Sequence, residues 1–198
     1  AFIVRGNHDP AVRPNPADRI EWPSNAHFFG SRSVESVEVP LANNGSAVIS
    51  GISHGSDSVT ENLASEFQDI DPEGRYHIGL LHCNVGSNTG HDPYAPCTLA
   101  DLGETSVDYW ALGHVHSATV LADGRPVIVY PGSMQGLHIH EQGTHGCYLA
   151  TVDPGQKRTD IEFCALDAVR WHASQIDISE IASLDGLENT ISDSVERL

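Results

Sequence analysis

Asp108-Tyr109-Trp110-Ala111-Leu112-Gly113-His114-Val115-His116 reads as a short apolar strand running straight into a glycine and two histidines one residue apart. In an extended segment alternate side chains share a side, so the two imidazoles point the same way. Two other stretches share this design. Ile78-Gly79-Leu80-Leu81 is an apolar strand that ends on His82. Phe2-Ile3-Val4 leads into Gly6-Asn7-His8-Asp9, where glycine lets the backbone turn sharply and release polar side chains at the strand's carboxyl end. Taken singly, each piece has an ordinary explanation, since Asn-His-Asp is common turn chemistry and strand-end histidines cap sheet edges. Imidazole and amide groups at three strand ends together are the signature of a metal site, because neutral imidazole and amide oxygen suit divalent ions such as Mn²⁺, Fe²⁺ or Zn²⁺.

Around these three stretches, β-branched runs bounded by turn residues predict further strands at His27 to Phe29, Val34 to Val39, Ala47 to Ile52, Val127 to Tyr130 and Cys147 to Val152. Val34 to Val39 and Ala47 to Ile52 flank an Asn44-Gly45 turn signal and predict a hairpin. Helices are fewer. Val59, Leu63 and Phe67 fall at spacing four and predict a helix over Ser58 to Phe67, and Ile181, Leu184, Leu187 and Ile191 predict one over Ile178 to Val195. Four prolines between Asp9 and Asn25 rule out a continuous helix there. The run Asn84 to Pro96 is a loop rich in Gly, Asn and Asp. Composition shifts near Ala165 from strands and histidines to an acidic, helical tail, which marks a domain boundary.

With 198 residues, 39% of them hydrophobic, the chain fits one globular domain or a piece of a larger one. Ten basic residues against 27 acidic give a formal net charge of −17, so no basic surface holds a polyanion by charge alone, and Lys157 is the only lysine. No apolar run approaches the roughly 20 residues of a spanning helix. The chain begins with Ala1 inside a strand pattern rather than a signal peptide, which reads as a fragment. Four cysteines without CxxC spacing read as reduced thiols in a cytoplasmic protein.

Gly6-Asn7-His8-Asp9, then Leu80-Leu81-His82, then Gly113-His114-Val115-His116 resemble, in order and spacing, the last three blocks of the calcineurin-like metallophosphoesterase superfamily. Together with Tyr94-Ala95-Pro96-Cys97 and Tyr130-Pro131-Gly132-Ser133, the match from Phe2 to Asp153 resembles in particular the SbcD/YhaO-type DNA repair exonucleases. The resemblance implies an α/β fold, a fragment of a four-layer αββα sandwich in which two mixed sheets pack face to face with helices outside. Residues 1–165 would be the metallophosphoesterase domain and 166–198 the start of a capping or accessory region. Two divalent metal ions, Mn²⁺ in this type, would clamp the scissile phosphate for in-line hydrolysis. Asn7, His82 and His114 would hold one metal and His116 would help hold the other. His8 would be the catalytic acid that meets the phosphate or leaving oxygen, and Asp9 would orient it. The implied partners are DNA, an SbcC-like ATPase subunit and a second copy of the chain, with no membrane.

The same family opens with an Asp-x-His block and a Gly-Asp block, which supply the other metal's ligands and a bridging carboxylate. Neither pattern occurs in these residues. The expectation is therefore an N-terminally truncated form, lacking a first strand-helix-strand segment and inactive alone. Two rival readings use the same residues: a phosphodiesterase or phosphatase acting on a nucleotide or other small molecule, and a non-catalytic interaction module whose histidines bind one ion or none. GxxxxGK is absent, so nothing here predicts ATP binding. His138 and His140 form a second HxH, read as a substrate-side or solvent-facing strand edge near Gly132-Ser133, and His91 is read as a loop cap. Cys83, one residue past His82 on a strand, faces the other way and packs. His27, His54, His77, His145 and His172 have no partner spacing and receive no role.

Overall fold

The structure is a computed structural model that describes residues 1–42, 45–86 and 92–197; Asn44 of the expected turn and His91 lie outside the described residues. The first apolar segment forms β1 (Phe2–Ile3), which pairs in parallel with β2 (His27–Phe28). The proline-rich stretch between them holds one 3-10 turn, Pro16–Arg19, which Asn15 opens by accepting the Ala17 N–H. The expected hairpin forms from β3 (Glu35–Pro40) and β4 (Ser46–Ile52), which pair antiparallel. Next come β5 (Tyr76–His82), β6 (Asn84–Val85), β7 (Pro96–Cys97), α1 (Leu99–Gly103), β8 (Tyr109–Gly113), β9 (Thr119–Asp123) and β10 (Val127–Tyr130). The hairpin of β11 (Gly146–Asp153) and β12 (Arg158–Ala165) and the terminal helix α2 (Leu184–Glu196) complete the chain.

Six strands make one mixed sheet in the order β3-β4-β5-β8-β10-β9. The four inner strands run parallel, and the edge strands β3 and β9 run antiparallel to their neighbours. The inner strands are almost continuously apolar because both faces are covered, as in Val127-Ile128-Val129-Tyr130, which is buried throughout. Among the described residues the remaining strands form three separate pairs, so the chain is mixed α/β with mostly strands and few helices. The four-layer sandwich goes beyond this arrangement.

Two local expectations fail for a shared reason. Only Leu63–Phe67 of the expected Ser58 to Phe67 helix coils, as a 3-10 turn, because the Asn62 side chain accepts the Ala64 N–H and starts the turn there. Val59 and Phe67 are both buried, but Val59 lies in the irregular segment before the turn rather than on one helical face with Phe67. Likewise Ser183 accepts the Gly186 N–H and begins α2 six residues after Ile178. Four strands escaped the β-branched pattern: β6 and β7, two residues each at the ends of the expected Asn84 to Pro96 loop, and the longer β9 and β12. The last two are partly exposed, and β12, Arg158-Thr159-Asp160-Ile161-Glu162, carries charge on its outward positions.

The core lies under the sheet around Trp110, which is fully buried, with the Phe67 ring 4.7 Å away edge-on. Its indole N–H donates to Leu102 O at 3.1 Å. Gly79 makes room for it, since a Cβ there would lie 2.6 Å from the indole. At the opposite end of the same strands, buried Asp108 accepts the His77 N–H at 3.0 Å and pairs with Arg125 Nε at 2.9 Å and Lys157 Nζ at 3.2 Å. The one lysine is thus spent on the fold. Asp108→Ala should destabilise the chain by about 2 kcal/mol and Lys157→Met by less than about 1 kcal/mol, as read from urea denaturation; equal costs would mean that the carboxylate's backbone bond contributes nothing.

Candidate metal centre

Parallel pairing brings the strand ends to one level. His82, last in β5, lies opposite Gly113, last in β8. Strand β1 reaches the same place through the end of β4: the Ser53 hydroxyl donates to Phe29 O at 2.6 Å and accepts the Arg5 N–H at 3.0 Å. The turn that follows is closed by Asp9, whose Oδ1 accepts the Gly6 N–H at 2.9 Å. This contact, rather than one to His8, is what the structure shows of Asp9.

The His82 imidazole lies between two glycines. A Cβ on Gly6 would sit 2.5 Å from His82 Nδ1, and one on Gly113 would sit 2.9 Å from the same atom. Gly6 has no left-handed φ, so the expected sharp glycine turn is not its purpose; the ring's close approach is. In this seat His82 Nε2–H donates to Asn7 Oδ1 at 2.9 Å. Burial, reinforced by His54, His114, His8 and His116, pushes the His82 pKa down to about 3. The ring is therefore neutral at ordinary pH, the state a metal ligand needs.

His114 has φ 106°, a backbone conformation that costs a non-glycine residue on the order of 1–3 kcal/mol and is found where a site demands it. It aims the ring to 5.3 Å from that of His82, while Nε2 donates to Asp92 O at 2.8 Å. His116 Nδ1–H donates to Glu141 Oε1 at 2.6 Å, which places the lone pair of the neutral ring on Nε2. The Leu137 N–H, and after it His116, hold the Glu141 carboxyl below the usual range. Gly132, with φ 76°, lets the Pro131-Gly132-Ser133 turn close on His116, whose carbonyl accepts the Ser133 N–H at 3.0 Å.

Asn7, His8, His82, His114 and His116 line one cavity of about 210 Å³, with Asp92 and Tyr94 completing its wall. Five of the six residues singled out from the sequence thus meet, and Asp9 supports them from behind. His54 and Glu141 were missed. Neither has a spacing signal, because each meets its partner only through the fold. His138 and His140 are exposed, in a turn rather than a strand, and Cys83 packs in the core with its Sγ 3.7 Å from that of Cys97.

Asn7 Oδ1 and His82 Nε2 are close enough for both to reach one small cation, which would require the ring to carry its proton on Nδ1 instead of Nε2, and neutral N and O donors suit a borderline divalent ion. Among the described residues no group of three or more His, Cys, Asp or Glu side chains is gathered for metal binding. The donors are neutral nitrogen and oxygen groups of the kind divalent metals accept, and among the described residues Asp92 is the one carboxylate on the cavity wall.

No family model matches the chain. Over 197 residues, all of the chain, it is 34% identical to a Bacillus subtilis (strain 168) protein named uncharacterized metallophosphoesterase YhaO. The likeness supports the metallophosphoesterase superfamily. The chain spans about half of that relative, 47% of its length. Metallophosphoesterases hydrolyse phosphoesters with divalent metals, which agrees with the chemistry of the donors here. No helix among the described residues is long and apolar enough to cross a membrane.

Two outcomes follow. The pKa values of His54, His77 and His82 are lowered mainly by burial, so the unfolded chain binds protons that the folded one refuses. Stability from these rings is complete above about pH 6.5 and is lost as pH falls below it. Urea midpoints at about 0.3 M salt, which screens the net charge, should drop between pH 7.5 and 5.5; an unchanged midpoint would mean the folded rings protonate freely. Gly6→Ala and Gly113→Ala should each displace the His82 ring at a cost of about 1–3 kcal/mol, whereas Gly124→Ala, with nothing within 4 Å of its Cβ, should cost far less in the same assay.

Proposed function

We propose that this chain carries the histidine half of a two-metal phosphodiesterase centre, and that the protein containing it is a Mn²⁺-dependent DNA exonuclease of the SbcD/YhaO type. The observation that carries this reading is the His82 ring, held neutral between Gly6 and Gly113 against Asn7 Oδ1, in a cavity shared with His8, His114 and His116. Asn7 and His82 would hold one cation, joined by His114 on release of the Asp92 carbonyl. His116, oriented by Glu141, would face the other. A divalent ion at such a centre neutralises phosphoryl charge and acidifies water.

The surface favours this division of labour. A chain of net charge −17, with its lone lysine on Asp108, has little cationic surface for a polyanion, and divalent ions bound in the cavity would supply the attraction. His8 is exposed at the cavity, where its ring can meet a phosphate or leaving oxygen and deliver a proton. Asp9 holds the turn on which His8 stands. Among the described residues the cavity wall carries one carboxylate, Asp92, and the Gly-Asp block that supplies the family's bridging carboxylate does not occur in these residues, so we expect the 198 residues alone to turn over no substrate.

Isothermal titration should find one Mn²⁺ site per chain, abolished in His82→Ala. The natural gene product containing these residues should degrade linear duplex DNA with Mn²⁺ and lose at least about a hundredfold in rate in His8→Ala. Cleavage of bis-p-nitrophenyl phosphate or cyclic nucleotides without DNA cleavage would replace the nuclease with a small-molecule phosphodiesterase. Absence of Mn²⁺ binding to both forms would leave an interaction module.

A further inference from the structure

His54 follows β4 and is completely buried. Its backbone N–H donates to Arg5 O and its carbonyl accepts the Ala11 N–H, both at 2.9 Å, so it is fastened on either side of the Gly6-Asn7-His8-Asp9 turn. Its ring reaches the other wall of the cavity. Nε2–H donates to the carbonyl oxygen of His82 at 2.6 Å, and the two rings stand edge-on with centroids 5.1 Å apart. The ladder between β4 and β5 ends at Ile52 and Leu81, so the His82 carbonyl lies one residue past it. The His54 side chain supplies the donor that a longer β4 would have provided.

This arrangement has a cost. A neutral imidazole that donates from Nε2 carries its lone pair on Nδ1, and His54 Nδ1 is buried with no hydrogen-bond partner. An aliphatic side chain would fill the same space without stranding an acceptor, so packing does not account for a histidine here.

We infer that His54 is a positioning residue: it ties the Asn7 turn to the end of β5 so that Asn7 Oδ1 and His82 Nε2 face one point. The consequence for a cation rests on the function proposed above; the alignment of the two donors does not.

Three variants separate this role from packing. His54→Leu keeps the volume, His54→Gln keeps a donor, and His54→Ala keeps neither. In the ¹⁵N-histidine-labelled chain without metal, the His82 imidazole N–H held by Asn7 should be visible in wild type and His54→Gln, and lost to exchange in His54→Leu and His54→Ala. Mn²⁺ affinity should fall at least about tenfold in the Leu and Ala variants and stay within about threefold in Gln. Val127→Ala, a core truncation in β10, should lower stability without moving either readout. A His82 signal unchanged in His54→Leu, or a Gln variant no better than Leu, would overturn the inference. Wild type that binds no Mn²⁺ would overturn the proposed function, and the His82 signal would still decide the role of His54.

Discussion

The imidazole of His82 fits because two backbones carry no side chain where it lies. One belongs to the turn after β1, the other to the end of β8, and neither strand is next to the other in sequence. The parallel register of β5 and β8 sets the height of Gly113, and the Ser53 links between β1 and β4 set that of Gly6. Neutrality follows from the same seat, since the ring is removed from water and ringed by other imidazoles. The sheet, the turn and the electrostatics of the cavity are thus one arrangement seen from three sides.

The acidic composition takes on meaning beside this cavity. Most of the cations are already engaged: Arg5 with Asp18, Arg13 with Asp57, Arg75 with Glu38, Arg125 and Lys157 with Asp108, Arg158 with Asp160 and Arg170 with Asp167. Attraction for a phosphate cannot come from a diffuse basic face and must be local. Beyond Ala165 the chain is also engaged. Gln135 accepts the Ala168 N–H and donates to Val169 O, and Trp171 Nε1–H donates to Gly136 O, so the start of the tail grips the loop that presents Glu141 to His116.

The inner sheet was legible because buried parallel strands are written as plain apolar runs, and the strand ends were legible because polar residues interrupt those runs abruptly. Edge strands β9 and β12 were not, since half their positions face water and look like loop. The Ser58 to Phe67 spacing misled because two buried residues four apart need not share a helix, and Asn62 decided where coiling begins. His54 and Glu141 were invisible for a different reason. Their partners, His82 and His116, lie 28 and 25 residues away, and no local period encodes a contact that the sheet creates. Gly6 was noticed for the wrong property, its turning freedom instead of its emptiness.

Between His82 and Gly113 the chain makes a long excursion through β6, β7 and α1, then returns to the level it left. The excursion contributes Asp92 and Tyr94 to the cavity wall, while the distance between the two histidine-bearing strand ends is set by the ladder and not by the length of the detour. The segment is in effect a panel whose base is rooted in the core through Ala95, Cys97 and Leu102. A change at Tyr94 would alter what is admitted to the cavity, and a shift of the Asp92 backbone would loosen His114 as well, while the two strand ends kept their spacing.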